Sequence, residues 1–164
     1  MDVTFKGEAV KTVGEPPIVG DQFPDFTVTD KDGKTVKLAD LLDKPLLISV
    51  VPNINTSVCS IQTKKFNNDV DGYSTVNFVT ISTNTVEEQS HWCAAEGVKN
   101  MKMLSDEKHD FGKNTGLLID SMGILGRSVW VVDTNKAILY SEILEEETNE
   151  PNYENALAAL DKLN

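Results

Sequence analysis

The chain contains two cysteines and a single arginine, and their surroundings are the first indication of chemistry. Cys59 follows "VPNINTS", a run of small hydrogen-bonding residues placed directly after an apolar stretch. A thiol attacks other molecules as its thiolate, and the free N–H groups of a helix start or a nearby cation favour that form. Because the polar run offers helix caps, the sequence predicts a reactive cysteine in the first turn of a helix.

Plainer interpretations exist for the same residues. Cysteine is among the most frequently buried residue types, so an inert place in the core is the alternative for both Cys59 and Cys93. His91 and His109 would raise the number of possible zinc ligands to four, which is the usual number in a structural site. The chain has no CxxC pair, however, and the spacings do not fit. We therefore expect no metal and no other cofactor.

Arg127 stands in "LGRSVWVV", at the start of an apolar stretch. In a chain with a net charge of −11, an arginine would ordinarily form an ion pair at the surface. A guanidinium is planar and always charged, so it can both stabilise a thiolate and bind a polarised oxygen. Its position before a predicted buried strand favours a role beside the thiol.

The hydrophobic patterns indicate alternating strands and helices. Residues 45–52 form a continuous apolar run, typical of a strand buried on both faces, and 76–83 form a second. A helix is predicted over 58–70, with Val70 among its apolar positions, and another over 85–98, with a Thr cap and an end at Gly97. The other predicted elements are an N-terminal hairpin (3–14, about Lys6, Gly7 and Glu8), a second hairpin (26–38, about Asp32 and Gly33), a strand–turn–strand (128–143) and a terminal helix (152–163).

This order predicts an α/β protein with a thioredoxin-like fold, in which helices flank a central mixed sheet that carries an N-terminal β-hairpin. A length of 164 residues suits one domain, spanning residues 1–164. The acidic charge argues against a nucleic-acid partner, and the run at 142–150 is expected to be a solvated loop or helix approach. The sequence has no apolar run long enough to span a bilayer and no signal-peptide pattern at its start. We therefore expect a cytoplasmic protein with no membrane partner.

The segment "PNINTSVC" (52–59) fits the P-x-x-x-T-x-x-C pattern of the peroxiredoxin active site. The longer "PNINTSVCSIQTKKF" resembles the thiol peroxidase subfamily, the bacterial atypical two-cysteine peroxiredoxins. The stretches "VGDQFPDFTV", "HWCAAEGV" and "GRSVWVVD" resemble the same subfamily, so the likeness covers essentially the whole chain. Ser57 departs from the pattern, because many relatives have proline between the threonine and the cysteine.

The resemblance implies a role for each matching residue. Cys59 would be the peroxidatic cysteine, which reduces hydrogen peroxide and alkyl hydroperoxides to water and alcohols. Thr56 would hold the thiolate and the peroxide, Pro52 would shield the sulfur, and Arg127 would be the active-site arginine. Cys93 would be the resolving cysteine, forming an intramolecular Cys59–Cys93 disulfide that thioredoxin reduces. A homodimer is also implied.

Other interpretations of the same residues remain. Thr56 could be an ordinary helix cap and Pro52 a strand terminator. The chain could be a redox sensor that passes oxidation to a partner, or a disulfide reductase, although the absence of CxxC argues against the latter. Because the two cysteines lie on separate predicted helices, we expect one or both helix starts to unfold locally when the disulfide forms.

Overall fold

A computed structural model describes residues 1–69, 72–98 and 101–163. Its first half contains β1 (Asp2–Phe5), β2 (Glu8–Lys11), β3 (Thr27–Thr29), β4 (Thr35–Lys37), a short 3₁₀ helix (Leu38–Leu41), β5 (Leu46–Val50), α1 (Ser57–Asp69) and β6 (Asn77–Ser82). The second half contains α2 (Val86–Glu96), β7 (Lys102–Ser105), α3 (Asp110–Thr115), β8 (Leu118–Ile119), β9 (Ile124–Leu125), β10 (Ser128–Val132), β11 (Ile138–Ile143) and α4 (Tyr153–Asp161).

Seven strands form the central sheet, in the order β11-β10-β5-β6-β7-β3-β4. The strands β5, β6 and β7 are parallel, and β10 pairs with β5 in the antiparallel direction. Every residue of β5 and of β10 is buried, as expected for central strands covered on both faces. The sheet is therefore mixed, as the sequence predicts.

The sheet separates two apolar clusters, because alternate residues of a strand point to opposite faces. Leu46 and Ile48 belong to one cluster, which also contains Phe111 of α3. Leu47 belongs to the other, which contains Cys59 of α1 together with side chains of α2 and α4. Cys59 is therefore part of the apolar core and is fully buried.

The N-terminal hairpin of β1 and β2 turns through Lys6 and Gly7, which both have positive φ. Such values suit the two-residue turns that connect twisted antiparallel strands. Strand β1 also contacts the segment 145–148, which follows β11. The Thr4 N–H donates to the carbonyl oxygen of Glu145 at 2.7 Å, and the Glu147 N–H donates to the Thr4 carbonyl at 2.8 Å. The hairpin therefore fixes the segment 145–148 in place.

Helix α2 has the ends that its sequence predicts. Thr85 is the N-cap, and its hydroxyl accepts a hydrogen bond from the Glu88 N–H at 3.1 Å. The Glu88 carboxylate accepts one from the Thr85 N–H at 3.0 Å, which completes a capping box. Gly97 ends the helix with a φ of 70°, in the left-handed region that favours glycine.

Most of the long predicted elements are confirmed. The expected helix over 58–70 is α1, although Val70 lies outside the described residues. The elements that the sequence did not indicate are short: the 3₁₀ helix, β7, α3, and the two-residue strands β8 and β9. The expectation of a solvated run at 142–150 is wrong in part, because Glu142 and Ile143 belong to β11 and Glu147 is fully buried. Within the described ranges, none of the helices is long and apolar enough to cross a membrane.

We predict that Thr85→Ala lowers the free energy of unfolding by about 1 kcal/mol, since it removes the cap of α2. Urea denaturation followed by circular dichroism measures the change. Ser90→Ala, at an exposed position of the same helix, is the matched control and should change stability by less than about 0.5 kcal/mol. An equal effect of both substitutions would show that the cap does not hold this helix.

Candidate active site

Cys59 is the third residue of α1 and is fully buried. The first hydrogen bond of this helix region runs from the Ser60 N–H to the Thr56 carbonyl, at 3.0 Å. The N–H groups before Ser60 therefore belong to the helix start, where they have no acceptor within the helix. The Thr63 hydroxyl donates to the Cys59 carbonyl at 2.9 Å. The sulfur thus lies at the positive end of the helix dipole, as the sequence predicts.

Arg127 comes directly before β10 and is 2% exposed. Its Nη2 lies 3.2 Å from the Cys59 Sγ, and its Nη1 donates to the Gln62 Oε1 at 3.0 Å. Its Nε donates to the Glu147 carbonyl oxygen at 2.6 Å. Three nitrogens of the guanidinium are therefore held from three directions. The arrangement directs a buried positive charge at the sulfur, which stabilises the thiolate.

Gln62 connects the arginine to the sheet. Its Nε2 donates to the Ser49 Oγ at 2.8 Å and to the Val50 carbonyl at 3.4 Å, while its Oε1 accepts from Arg127. Ser49 and Val50 belong to β5, and Gln62 lies on α1 three residues after Cys59. Because the side-chain amide uses both its donor and its acceptor, it fixes where the guanidinium can lie.

Glu147 is the buried acid of this site. One carboxyl oxygen, Oε2, accepts a hydrogen bond from the Arg127 backbone N–H. The other, Oε1, is buried and has no hydrogen-bond partner. Burial raises the pKa of Glu147 to about 7, against the opposing effects of the backbone hydrogen bond and the charge of Arg127. A substantial share of Glu147 is thus protonated at neutral pH.

Thr56 and Pro52 flank the same loop. Pro52 is buried, whereas Thr56 is exposed, and the Thr56 hydroxyl donates to the Asn53 carbonyl at 2.9 Å. The described hydrogen bond of this hydroxyl therefore goes to the backbone of the loop. The side chain of Asn84, which precedes the N-cap of α2, makes hydrogen bonds to this loop. Its Oδ1 accepts from the Ile54 N–H at 2.8 Å, and its Nδ2 donates to the Asn53 Oδ1 at 3.1 Å.

Cys93 lies on α2 and is partly buried against the apolar cluster that contains Cys59. Both cysteines are free thiols. Burial raises the pKa of Cys93, so its thiol form is favoured. Cys93 also lines a cavity of about 770 Å³, together with Val86, Met101 and Met103. Cys93 therefore borders an open space, whereas Cys59 is enclosed.

The histidines take no part in these contacts. His91 is exposed on α2, and His109 is the residue before α3, with a positive φ of 65°. In the part of the chain that the structure describes, no group of three or more His, Cys, Asp or Glu side chains is arranged to hold a metal ion.

Comparison with known proteins decides the family. The Redoxin family model matches residues 18–157. Thiol peroxidase from Bacillus subtilis is 42% identical over 159 residues, covering 96% of this chain and 95% of the relative. Thiol peroxidase from Listeria innocua is 44% identical over 161 residues, covering 98% of each.

The chain belongs to the thiol peroxidase family.

Solved structures agree with this assignment. The peroxiredoxin-like protein from Aquifex aeolicus superimposes with a TM-score of 0.92 at 30% identity, over 99% of this chain and 97% of that one. Thiol peroxidase from Chromobacterium violaceum, at 19% identity, shares the fold, with a TM-score of 0.89 over 99% and 96% of the two chains. The protein is thus a thiol-dependent peroxidase with the thioredoxin-like fold of the redoxins.

The structure of this peroxidase adds two residues that the sequence did not single out. Gln62 could have been found, because three residues along a helix bring a side chain back to the same face as Cys59. Glu147 gave no such signal. It stands in an acidic run, and the sequence does not distinguish this buried glutamate from its exposed neighbours. Its burial depends on the pairing of segment 145–148 with β1, which sequence periodicity does not reveal.

We predict that Gln62→Leu destabilises the enzyme by about 1–3 kcal/mol and slows alkylation of Cys59 at neutral pH. The substitution leaves a buried Ser49 hydroxyl and an Arg127 nitrogen without their partner. Urea denaturation and iodoacetamide labelling of Cys59 in a Cys93→Ser background measure the two effects.

Gln89→Leu is the matched control for this substitution. Gln89 is a buried glutamine of α2 whose Nε2 donates to the Ser82 Oγ at 3.0 Å and to the Leu104 carbonyl at 2.9 Å. It should destabilise the protein to a similar degree and leave the rate of Cys59 alkylation unchanged. If both variants slow alkylation equally, Gln62 acts only through stability.

We also predict a pH effect on stability from Glu147. Burial raises the pKa of Glu147 from its usual 4.5 to about 7, so the native state binds more protons than the unfolded state between pH 4.5 and pH 7. Stability contributed by this group is present at low pH and is lost as pH rises through about 7. Relative to the native enzyme, Glu147→Gln should therefore gain up to about 3 kcal/mol between these two pH values. Urea denaturation of both proteins across the window measures the difference, and a constant difference would contradict the prediction.

Proposed function

We propose that this peroxidase reduces hydrogen peroxide and alkyl hydroperoxides through Cys59. The observation that carries the proposal is the 3.2 Å contact between the Arg127 Nη2 and the Cys59 Sγ inside the core. A buried cation at the start of a helix gives the sulfur the two features that favour a thiolate. No other thiol in the chain has such a contact among the described residues.

The chemical step follows from the thiolate. The Cys59 sulfur attacks the distal oxygen of ROOH, so an S–O bond forms and the O–O bond breaks. The sulfur is oxidised by two electrons to a sulfenic acid, and the leaving alkoxide takes a proton to become ROH. With hydrogen peroxide the leaving group becomes water. The guanidinium of Arg127 stabilises the negative charge as it moves from sulfur to oxygen.

Thr56 and Pro52 shape the approach to the sulfur in this proposal. The Thr56 hydroxyl donates to the Asn53 carbonyl, so its lone pairs remain to accept a hydrogen bond from the O–H of the peroxide. Pro52 is buried and has no N–H, so it closes one side of the site without adding a donor. Thr56 is exposed and precedes the buried Cys59 by three residues, which supports entry of the peroxide from the side of this loop.

Cys93 serves as the resolving cysteine. Its thiol condenses with the sulfenic acid of Cys59, which forms the Cys59–Cys93 disulfide and releases water. A disulfide requires Cα atoms within about 7 Å of each other. Each free cysteine is packed on its own helix, so one or both helices unfold locally before the bond forms. The expectation that a helix start unfolds suits Cys59 in the first turn of α1, but it is wrong for Cys93, which lies near the end of α2. The raised pKa of Cys93 supports these separate roles for the two cysteines. A raised pKa disfavours the Cys93 thiolate, which is the form that would react with peroxide directly.

Reduction of the disulfide completes the cycle. A dithiol protein such as thioredoxin attacks one sulfur, passes through a mixed disulfide and leaves the peroxidase with two thiols. The cavity beside Cys93 supports attack at that sulfur. We place this cycle in the cytoplasm, where thioredoxin keeps thiols reduced. We also propose a homodimer, for which the exposed apolar side chains of Ile18 and Val19 offer contact area.

We predict a clear difference between the two cysteine variants. Cys59→Ser should have no peroxidase activity. Cys93→Ser should lose turnover with thioredoxin but still consume about one peroxide per chain, because its sulfenic acid forms and is not resolved. The measurement is NADPH consumption with thioredoxin, thioredoxin reductase and a hydroperoxide.

The native protein is the reference for this assay. If it fails to turn over while Cys59 still oxidises rapidly, the reductant is different or the protein acts as a sensor. If Cys59 does not react with peroxide, its place in the core is purely structural and the proposed mechanism is wrong.

A further inference from the structure

Arg127 contacts two buried acids. The Cys59 thiol lies against its Nη2, and Glu147 contacts it through both the backbone and the side-chain carboxyl group. Cys59 and Glu147 are each 0% exposed, and Arg127 is 2% exposed. The site therefore contains one permanent positive charge and two groups that can each become negative.

The carboxyl group of Glu147 is poorly arranged to be an anion. Only its Oε2 is hydrogen-bonded, to the Arg127 N–H, whereas its Oε1 is buried without a partner. The nitrogens of the guanidinium donate elsewhere, to the Glu147 carbonyl, Gln62 and Cys59. A buried carboxylate normally has several donors, so this environment suits the protonated acid.

Of the charges that act on Glu147, that of Glu146 also favours the protonated acid, whereas that of Arg127 opposes it. Glu146, the neighbour of Glu147 in the chain, is held ionised by hydrogen bonds that lower its pKa to about 2, and its charge opposes ionisation of Glu147. From α4, Tyr153 faces Arg127 but donates its hydroxyl to the Glu150 Oε1 at 2.9 Å, and burial raises its pKa. Gln62 of α1 is uncharged. Arg127 is thus the cation that acts on Glu147.

We propose that Cys59 and Glu147 form a coupled pair of acids that share the single charge of Arg127. This inference rests on the proposed role of Cys59. While Cys59 is a thiolate, Glu147 retains its proton, because two buried anions beside one cation would leave one negative charge without compensation. When Cys59 becomes a neutral sulfenic acid, Arg127 loses its anion, and ionisation of Glu147 restores the balance.

The proton balance of the peroxide step closes within this pair. Before the reaction the site holds Cys59–S⁻ and the protonated acid Glu147–COOH, and ROOH is the oxidant. Afterwards it holds Cys59–SOH and Glu147–COO⁻, and ROH has left. Glu147 releases one proton, and the alkoxide takes up one proton. Glu147 therefore acts as a charge partner of the reaction without touching the peroxide, and the net charge of the site stays constant throughout.

The pKa of about 7 supports this role, since a group with that value changes its protonation near neutral pH when a neighbouring charge changes. Loss of the sulfur must then weaken proton binding by Glu147, because the negative charge that opposes ionisation of its carboxyl group is gone.

Infrared spectroscopy tests the coupling, because a protonated carboxyl group has a C=O stretch that a carboxylate lacks. We compare the reduced full-length protein with its Cys59→Ala variant in a pH titration. The Glu147 signal is assigned by its loss in Glu147→Gln. We expect proton binding by Glu147 to be at least about tenfold stronger in the reduced native protein than in Cys59→Ala, which is one pH unit in its titration.

A second cysteine variant is the matched control. Cys93→Ala removes the other thiol of the same apolar cluster, which has no contact with Arg127 among the described residues. It should leave the Glu147 titration as it is in the reduced native protein. A merely structural effect of losing a core side chain would instead shift the Glu147 signal in both cysteine variants.

Two results would overturn the coupling: an equal Glu147 titration in the native and Cys59→Ala proteins, or an equal shift of that titration in Cys59→Ala and Cys93→Ala. Neither measurement uses peroxide, so failure of the proposed peroxide chemistry is recognised separately. Addition of about one equivalent of peroxide to Cys93→Ser then tests the full step. The carboxyl signal of Glu147 should decrease as the sulfenic acid forms, and sulfenic acid formation with no change in this signal would contradict the proton balance.

Discussion

A guanidinium that is 2% exposed imposes a strict condition on the rest of the molecule, because a buried cation without partners is highly unfavourable. The start of β10 supplies Arg127, α1 supplies Cys59 and Gln62, and segment 145–148 supplies a carbonyl and a carboxyl group. Each of these elements is held by the sheet or by the N-terminal hairpin. The reactive sulfur is therefore one of several groups that neutralise or solvate a single charge, and its reactivity depends on all of them.

Two helices connect parallel strands of the sheet: α1 connects β5 to β6, and α2 connects β6 to β7. Both helices are attached to the strands in the same way. In each, a buried glutamine of the helix donates to a serine hydroxyl and to a backbone carbonyl of the strands below it: Gln62 above β5, and Gln89 beside β6 and β7. The acceptor oxygen of Gln62 serves Arg127, which makes α1 part of the active site. The same kind of contact thus attaches α2 to the sheet and, in α1, also positions the charge of Arg127.

Much of this arrangement could be predicted from the sequence. The apolar runs around Leu47 and Phe78 predict central strands, and the caps of α2 predict its two ends, because these signals are local. Cys59 and Arg127 were recognisable by type and position. The short elements between residues 102 and 125 were missed, since two to six residues carry too little periodicity. Glu147 was missed because its burial arises from contacts with Thr4, which is distant in the chain.

The contact of β1 with segment 145–148 joins residues that are far apart along the chain, next to the active-site arginine. During synthesis, Cys59 leaves the ribosome before Arg127, and the segment that holds Arg127 follows later still. A nascent chain therefore carries Cys59 as an ordinary thiol, without the cation that activates it. We expect the sulfur to become sensitive to oxidants only after segment 145–148 has been made and has paired with β1, so that a partly synthesised chain is protected from oxidation.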